Sequence, residues 1–92
     1  MSVEVRLPTV LRPAAGGRSV VSIDGATIGE VLEALQAAYP AVEGQLLTES
    51  GELHKFVNVY VNDDDVRYLD RLETKVRDGD VVSILPAVAG GA

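Results

Sequence analysis

Residues 78–92 read Asp78-Gly79-Asp80-Val81-Val82-Ser83-Ile84-Leu85-Pro86-Ala87-Val88-Ala89-Gly90-Gly91-Ala92, and this stretch decides the fold. Two acids around a residue without Cβ make a turn. The five residues after it, rich in β-branched side chains, make a strand. Pro86 cannot donate to a ladder, so the strand is expected to end at Leu85. From Pro86 onward there is no charge and no large side chain. Gly90-Gly91 permits positive φ and close approach to another surface. A domain of residues 1–85 with a tail of residues 86–92 is therefore expected. Such a tail suits insertion into a narrow cleft on another protein, where a terminal carboxylate can be modified.

Working back from this stretch, residues 56–61 form the strongest strand, with Val57, Val59 and Val61 on one face and Phe56, Asn58 and Tyr60 on the other. Asn62-Asp63-Asp64-Asp65 is a turn, Val66-Arg67-Tyr68 a short return strand, and Leu69, Leu72 and Val76 anchor a helical connection. Further upstream, Thr27-Ile28-Gly29-Glu30 is a capping box: Thr27 accepts from the Glu30 amide, and the Glu30 carboxylate reaches back to the Thr27 amide. Ile28, Val31, Leu32 and Leu35 fall on one helical stripe, and Pro40 bars continuation past Tyr39. The predicted helix covers 28–39, with Gly29 allowing close packing on the sheet. Val3-Glu4-Val5-Arg6-Leu7 alternates, residues 9–18 read as a loop, and Ser19-Val20-Val21-Ser22-Ile23 returns before Asp24-Gly25 turns the chain. Val42, Leu46 and Leu47 suggest a short second helix.

The order is hairpin, helix, strand, short strand, final strand. A mixed sheet with one main helix across it is the economical two-layer α+β solution. It matches a ubiquitin-like β-grasp, in which the last strand lies parallel to the first at the sheet centre. The 92 residues suffice for one core, and 47% apolar with 24% charged residues is a globular balance. A net charge of −6 argues against nucleic acid, and no apolar run suits a membrane. The first residues lack a secretory pattern, so a cytoplasmic protein is expected.

The candidate chemistry is sparse. Without cysteine there is neither disulfide nor thiolate. His54 is the single histidine, and it reads as a surface or packing residue. An EF-hand beginning at Asp63 needs glycine sixth and an acid twelfth, where this chain has Tyr68 and Thr74. Arg67, Arg71, Lys75 and Arg77 are interleaved with acids, a solvated surface. Gly16-Gly17 lacks the context of a phosphate loop. No catalytic constellation is found, and no metal site or bound cofactor is expected.

The acidic-glycine-acidic turn at 78–80, the strand, Pro86, Val88 and Gly90-Gly91 resemble the C-terminal signature of the ThiS/MoaD family of ubiquitin-like sulfur carriers. The order of elements resembles that family along nearly the whole chain. Residues 54–67 and the ending 85–91 are most similar to its CysO-type carriers of cysteine biosynthesis. The resemblance implies that an E1-like adenylating and sulfurtransferase enzyme, using ATP and Mg, adenylates the terminal glycine. A sulfur donor then displaces AMP and leaves a thiocarboxylate on Gly91. The sulfur passes to a synthase, either a cysteine synthase or a thiosugar-type synthase. The chain itself is then a carrier substrate rather than an enzyme. Extended at about 3.3 Å per residue, Pro86 to Gly91 spans about 20 Å, enough to thread into a buried site.

Ala92 departs from the pattern, because it places Gly91 in a peptide bond. Either a protease of the JAMM type removes it, or the activating enzyme accepts alanine, or Ala92 is a remnant of cloning. The alternative functions are the small subunit of molybdopterin synthase and a ubiquitin-like modifier conjugated to lysines. For partner docking the candidates are Phe56, Asn58 and Tyr60 on the outer sheet face, with Pro86 and Val88 in the tail. Phe56 and Tyr60 alternatively pack against residues 41–55 in a second small core.

Overall fold

A computed structural model describes residues 2–54 and 57–86. Strands β1 (Ser2–Arg6) and β2 (Val20–Asp24) form an antiparallel hairpin, helix α1 (Ile28–Ala38) follows, and β3 (Val57–Val61), β4 (Asp64–Asp65) and β5 (Val81–Pro86) complete the sheet. The strand order is β2-β1-β5-β3-β4. β5 pairs parallel with β1 and antiparallel with β3, as expected of a β-grasp. Val5 lies opposite Val82, and Val59 opposite Ile84.

Period-2 alternation explains the burial. Val3, Val5, Val21, Ile23, Val57, Val59, Val61, Val82 and Ile84 face inward, and the residues between them face out. Ile28, Val31, Leu32 and Leu35 of α1 close the other side of that core, each without measurable exposure. The helix starts as expected, with the Thr27 hydroxyl accepting from the Glu30 amide at 3.2 Å. The reciprocal bond differs: the Glu30 carboxylate accepts from Ala26 at 2.9 Å, one residue before the expected Thr27. That reach ties the entry segment down, and the Ala26 carbonyl accepts from the Val76 amide at 3.0 Å.

Several expectations are corrected. Thr9–Ala15 is 3-10 helix rather than loop, and it buries Leu11 and Ala15. A β-carbon on Gly29 would meet the carbonyl oxygen of Leu72 at 3.2 Å, so its close packing is on the 71–73 turn rather than on the sheet. The return strand is Asp64–Asp65, and Val66–Tyr68 is a turn of 3-10 helix that buries Val66. Leu69 does not anchor the connection, being exposed, whereas Val76 is buried. Residues Pro40–Val42 form only one turn of 3-10 helix, and Val42, Leu46 and Leu47 join the main core instead of making a second one. β5 runs one residue further than expected, because Pro86 lies in register with Val57 and needs no amide at the strand end.

Candidate functional site

The described residues end at Pro86, which is held on one side only: it lies in register with Val57 of β3, whereas β1 accompanies β5 no further than Ser83. β5 lies between β1 and β3 in the sheet, paired with β1 over Val81–Ser83 and with β3 over Val82–Pro86, so that β3 alone accompanies it from Ile84 to Pro86. Its start is pinned by the 78–80 turn. Gly79 sits at φ +86°, where a side chain would be strained, and its amide donates to the Ser2 carbonyl at 3.0 Å. The Asp78 carboxylate accepts from the Ser2 amide at 3.0 Å, and Asp80 accepts from the Arg77 amide at 2.8 Å. The Asp78 carboxylate thus stitches the turn to the start of β1, the Asp80 carboxylate closes the turn on itself, and the Asp80 carbonyl accepts from the Glu4 amide of β1 at 2.9 Å. Asn62, at φ +58°, adds a third clasp: its side chain accepts from the Val81 amide at 3.2 Å while its own amide donates to the Val81 carbonyl at 2.7 Å. A clasp by Asn62 is consistent with the tolerance of asparagine for left-handed backbone, but its reach to residue 81 is a tertiary fact.

The candidate site residues fall into two groups. Val88, Gly90, Gly91 and Ala92 lie outside the described residues, as does Phe56. Pro86, Asn58 and Tyr60 are described. Pro86 is exposed at the end of β5. Asn58 and Tyr60 are half-buried on the outer face of the sheet, opposite Leu85 and Ser83. Asn58 is already engaged: its side-chain oxygen accepts from the Arg67 guanidinium at 2.7 Å. Arg67 also donates to the Val57 carbonyl at 3.0 Å. This planar fork clips the 64–68 segment onto the first residues of β3. The alternation of charges around Arg67 reads as solvated surface and gives no sign of this clip.

The described residues contain no group of three or more His, Cys, Asp or Glu side chains able to hold a metal ion. No helix among them is long and apolar enough to cross a membrane. What the described residues offer is a sheet whose strand β5 ends, exposed, at Pro86.

Comparison with known proteins agrees along the full length. The chain is 52% identical to the sulfur carrier protein CysO of Mycobacterium tuberculosis (strain ATCC 25618 / H37Rv), over 99% of this chain and 100% of that one. It is 41% identical to small archaeal modifier protein 3 of Haloferax volcanii, again over 99% and 100%. Among solved structures, a chain in the crystal structure of the Amycolatopsis orientalis BexX/CysO complex superposes with a TM-score of 0.88 at 46% identity, covering 97% of this chain and 99% of that one. The ThiS family pattern matches residues 5–91, a span that includes both glycines of the tail. With a match of that extent, this ubiquitin-like β-grasp chain belongs to the ThiS family.

Proposed function

We propose that this chain is a sulfur carrier, whose working group is a thiocarboxylate formed at the carboxyl of Gly91 after Ala92 has been released. The observation that carries the reading is the full-length 52% identity to a sulfur carrier. The same β-grasp supports it by delivering the tail from the central strand of the sheet. In the first step, a carboxylate oxygen of Gly91 attacks the α-phosphorus of ATP in the E1-like partner, with Mg bound there, and pyrophosphate leaves. In the second, a sulfur nucleophile attacks the acyl carbon and AMP leaves. Neither step needs a side chain of this protein, so it acts as carrier substrate and not as enzyme. Its contribution is tethering, which turns a bimolecular encounter with free sulfide into delivery at a held position.

Supported by the CysO likeness, we propose a cysteine synthase in the cytoplasm as the acceptor, with a JAMM-type protease freeing Gly91. The BexX/CysO complex of Amycolatopsis orientalis supports a pairing of such carriers with a partner protein, and we propose a thiosugar-type synthase as a second acceptor for the same chemistry. A different reading, conjugation of Gly91 to lysines, is favoured by the 41% identity to a small archaeal modifier protein. Intact mass after incubation with the E1-like enzyme, ATP and a sulfur source decides between them. Protein ending at Gly91 is expected to exchange one oxygen for sulfur, and protein ending at Ala92 to stay unchanged. Isopeptide-linked adducts without any thiocarboxylate would overturn the carrier reading in favour of the modifier.

A further inference from the structure

Because β1 and β5 run parallel, and β2 and β3 antiparallel to them, the two ends of the sheet gather different loops. One end holds the last residues of β1 and β5 and the first of β2 and β3. There Arg6 lies in register with Val20 and Ser83, and Pro86 with Val57. The 3-10 helix Thr9–Ala15 crosses this end, and its Val10 is 70% exposed. Leu85, 46% exposed, and Pro86 lie beside it, so that Pro8, Val10, Leu85 and Pro86 together line two adjoining open grooves at the root of the tail. An exposed valine, an exposed leucine and two prolines contiguous at one place are an apolar saddle rather than scattered surface residues.

The charges around the saddle are opposite in sign to the protein as a whole. Arg6 and Arg12 line the groove on one side, and the exposed Arg18 follows the 3-10 helix. Arg12 is steadied by donating to the Leu7 carbonyl at 3.3 Å, and Arg6 meets Glu4 at 3.3 Å. His54 lines the other side, where Gly44, the sequence neighbour of Glu43, also contributes. The far end of the sheet gathers Asp24, Asp63, Asp64, Asp78 and Asp80, with Arg77 among them. A chain of net charge −6 therefore carries much of its negative charge opposite the tail and an arginine collar beside it.

We propose, building on the carrier reading, that this saddle docks the enzyme that activates the tail, through an apolar lobe rimmed by acidic side chains beside that enzyme's tail entrance. The lobe seats on Val10, Leu85 and Pro86, while the collar pairs with the rim. The acidic far end is repelled by the same rim, so the domain arrives tail first. Rim charges of this kind act chiefly on association rate and salt dependence, whereas the apolar centre sets the lifetime of the complex.

The test uses chains ending at Gly91 and the cognate E1-like adenylating enzyme, with binding followed by stopped flow and calorimetry and adenylation by ATP–pyrophosphate exchange. Val10→Asp is expected to weaken binding about tenfold or more at any salt concentration, because it places a charge in the apolar centre. The pair Arg12→Glu and Arg18→Glu is expected to slow association about tenfold at low salt, with the difference shrinking at high salt. Arg12→Gln, which keeps a donor for the Leu7 carbonyl, separates charge from any loss of fold, and thermal melts accompany each variant. Parent chain bound and adenylated, with all folded variants behaving identically to it, overturns the docking proposal and leaves the carrier reading standing. Parent chain neither bound nor adenylated overturns both.

Discussion

Replacing Gly25 with alanine isolates one contact on which the packing of α1 depends. The backbone there is not in the left-handed region, so alanine can adopt the conformation, and the difficulty is space. A β-carbon at that position would lie 2.8 Å from Val31 Cγ2, 2.9 Å from the Val31 amide nitrogen and 3.2 Å from its Cα. Ordinary carbon contacts lie at about 3.5–4.0 Å, so these approaches are repulsive. Val31 cannot yield easily: it is fully buried, and its amide donates to the Thr27 carbonyl at 2.9 Å. The approach is also held from outside by the Glu30–Ala26 and Val76–Ala26 bonds. Overpacking of this kind costs about 1–3 kcal/mol. The loss of glycine's freedom in the unfolded chain offsets about 0.4–1 kcal/mol of it. A net destabilisation of about 1–2 kcal/mol lowers the melting temperature by roughly 5–15 °C in a domain of this size. Urea titration and thermal melts followed by circular dichroism measure both. A Gly25→Ala protein that melts at or above the parent temperature would show that α1 does not sit this close to its entry segment.

Leu35→Ala should cost about 2–5 kcal/mol, since Leu35 is fully buried where the helix meets the sheet; a loss below 1 kcal/mol in urea titration would place it outside the core. Arg67→Ala should cost about 1–3 kcal/mol through its bonds to Asn58 and the Val57 carbonyl, with amide shifts concentrated at residues 57–60 in heteronuclear spectra. Arg67→Lys should recover only part of that, because an ammonium cannot span both acceptors as the guanidinium fork does; full recovery would reduce Arg67 to a point charge.

How much of this could be read in the chain depends on how local each cause is. The α1 stripe, its Thr27 cap and the stop at Pro40 are local, and all appear where expected. The parallel pairing of the first and last strands follows from element order, and it too is present. The 3-10 helix at Thr9–Ala15 was hidden because Pro13 and Gly16-Gly17 are loop signals, while burial of Leu11 and Ala15 against the core supplies the order. β4 was displaced by two residues because aspartate has low strand propensity; its pairing with Tyr60 and Val61 is imposed by the partner strand. Asn58 and Tyr60 lie on the outer sheet face that the alternation assigns them, half-buried, and Pro86 is exposed. The arginine collar was not legible, since Arg6, Arg12 and Arg18 are spaced along a hairpin and only its register brings them to one end.

The division between platform and tail explains why one fold serves relatives named as sulfur carriers and as modifiers. If the reacting group were a side chain on the sheet, the protein would have to supply an environment to activate it, and each chemistry would demand a different domain. On the carrier reading proposed above, a main-chain carboxylate beyond Pro86 would need no such environment, because the partner would supply nucleotide, sulfur or amine. What the domain must supply is a root that does not move and a surface that tells partners apart. The root is met by a strand that keeps its pairing with β3 as far as Pro86, shares its first half with β1, and is stitched at its start by Asp78 and Asn62. Discrimination then falls on the exposed residues around that root, which are free to vary because α1 and the inner sheet face carry the stability. Exchanging surface residues such as Val10 and Arg18 between this chain and a modifier relative should therefore redirect docking while leaving the melting temperature nearly unchanged. If the exchanged chains lose stability but keep their original partners, recognition resides in the core geometry and this division is wrong.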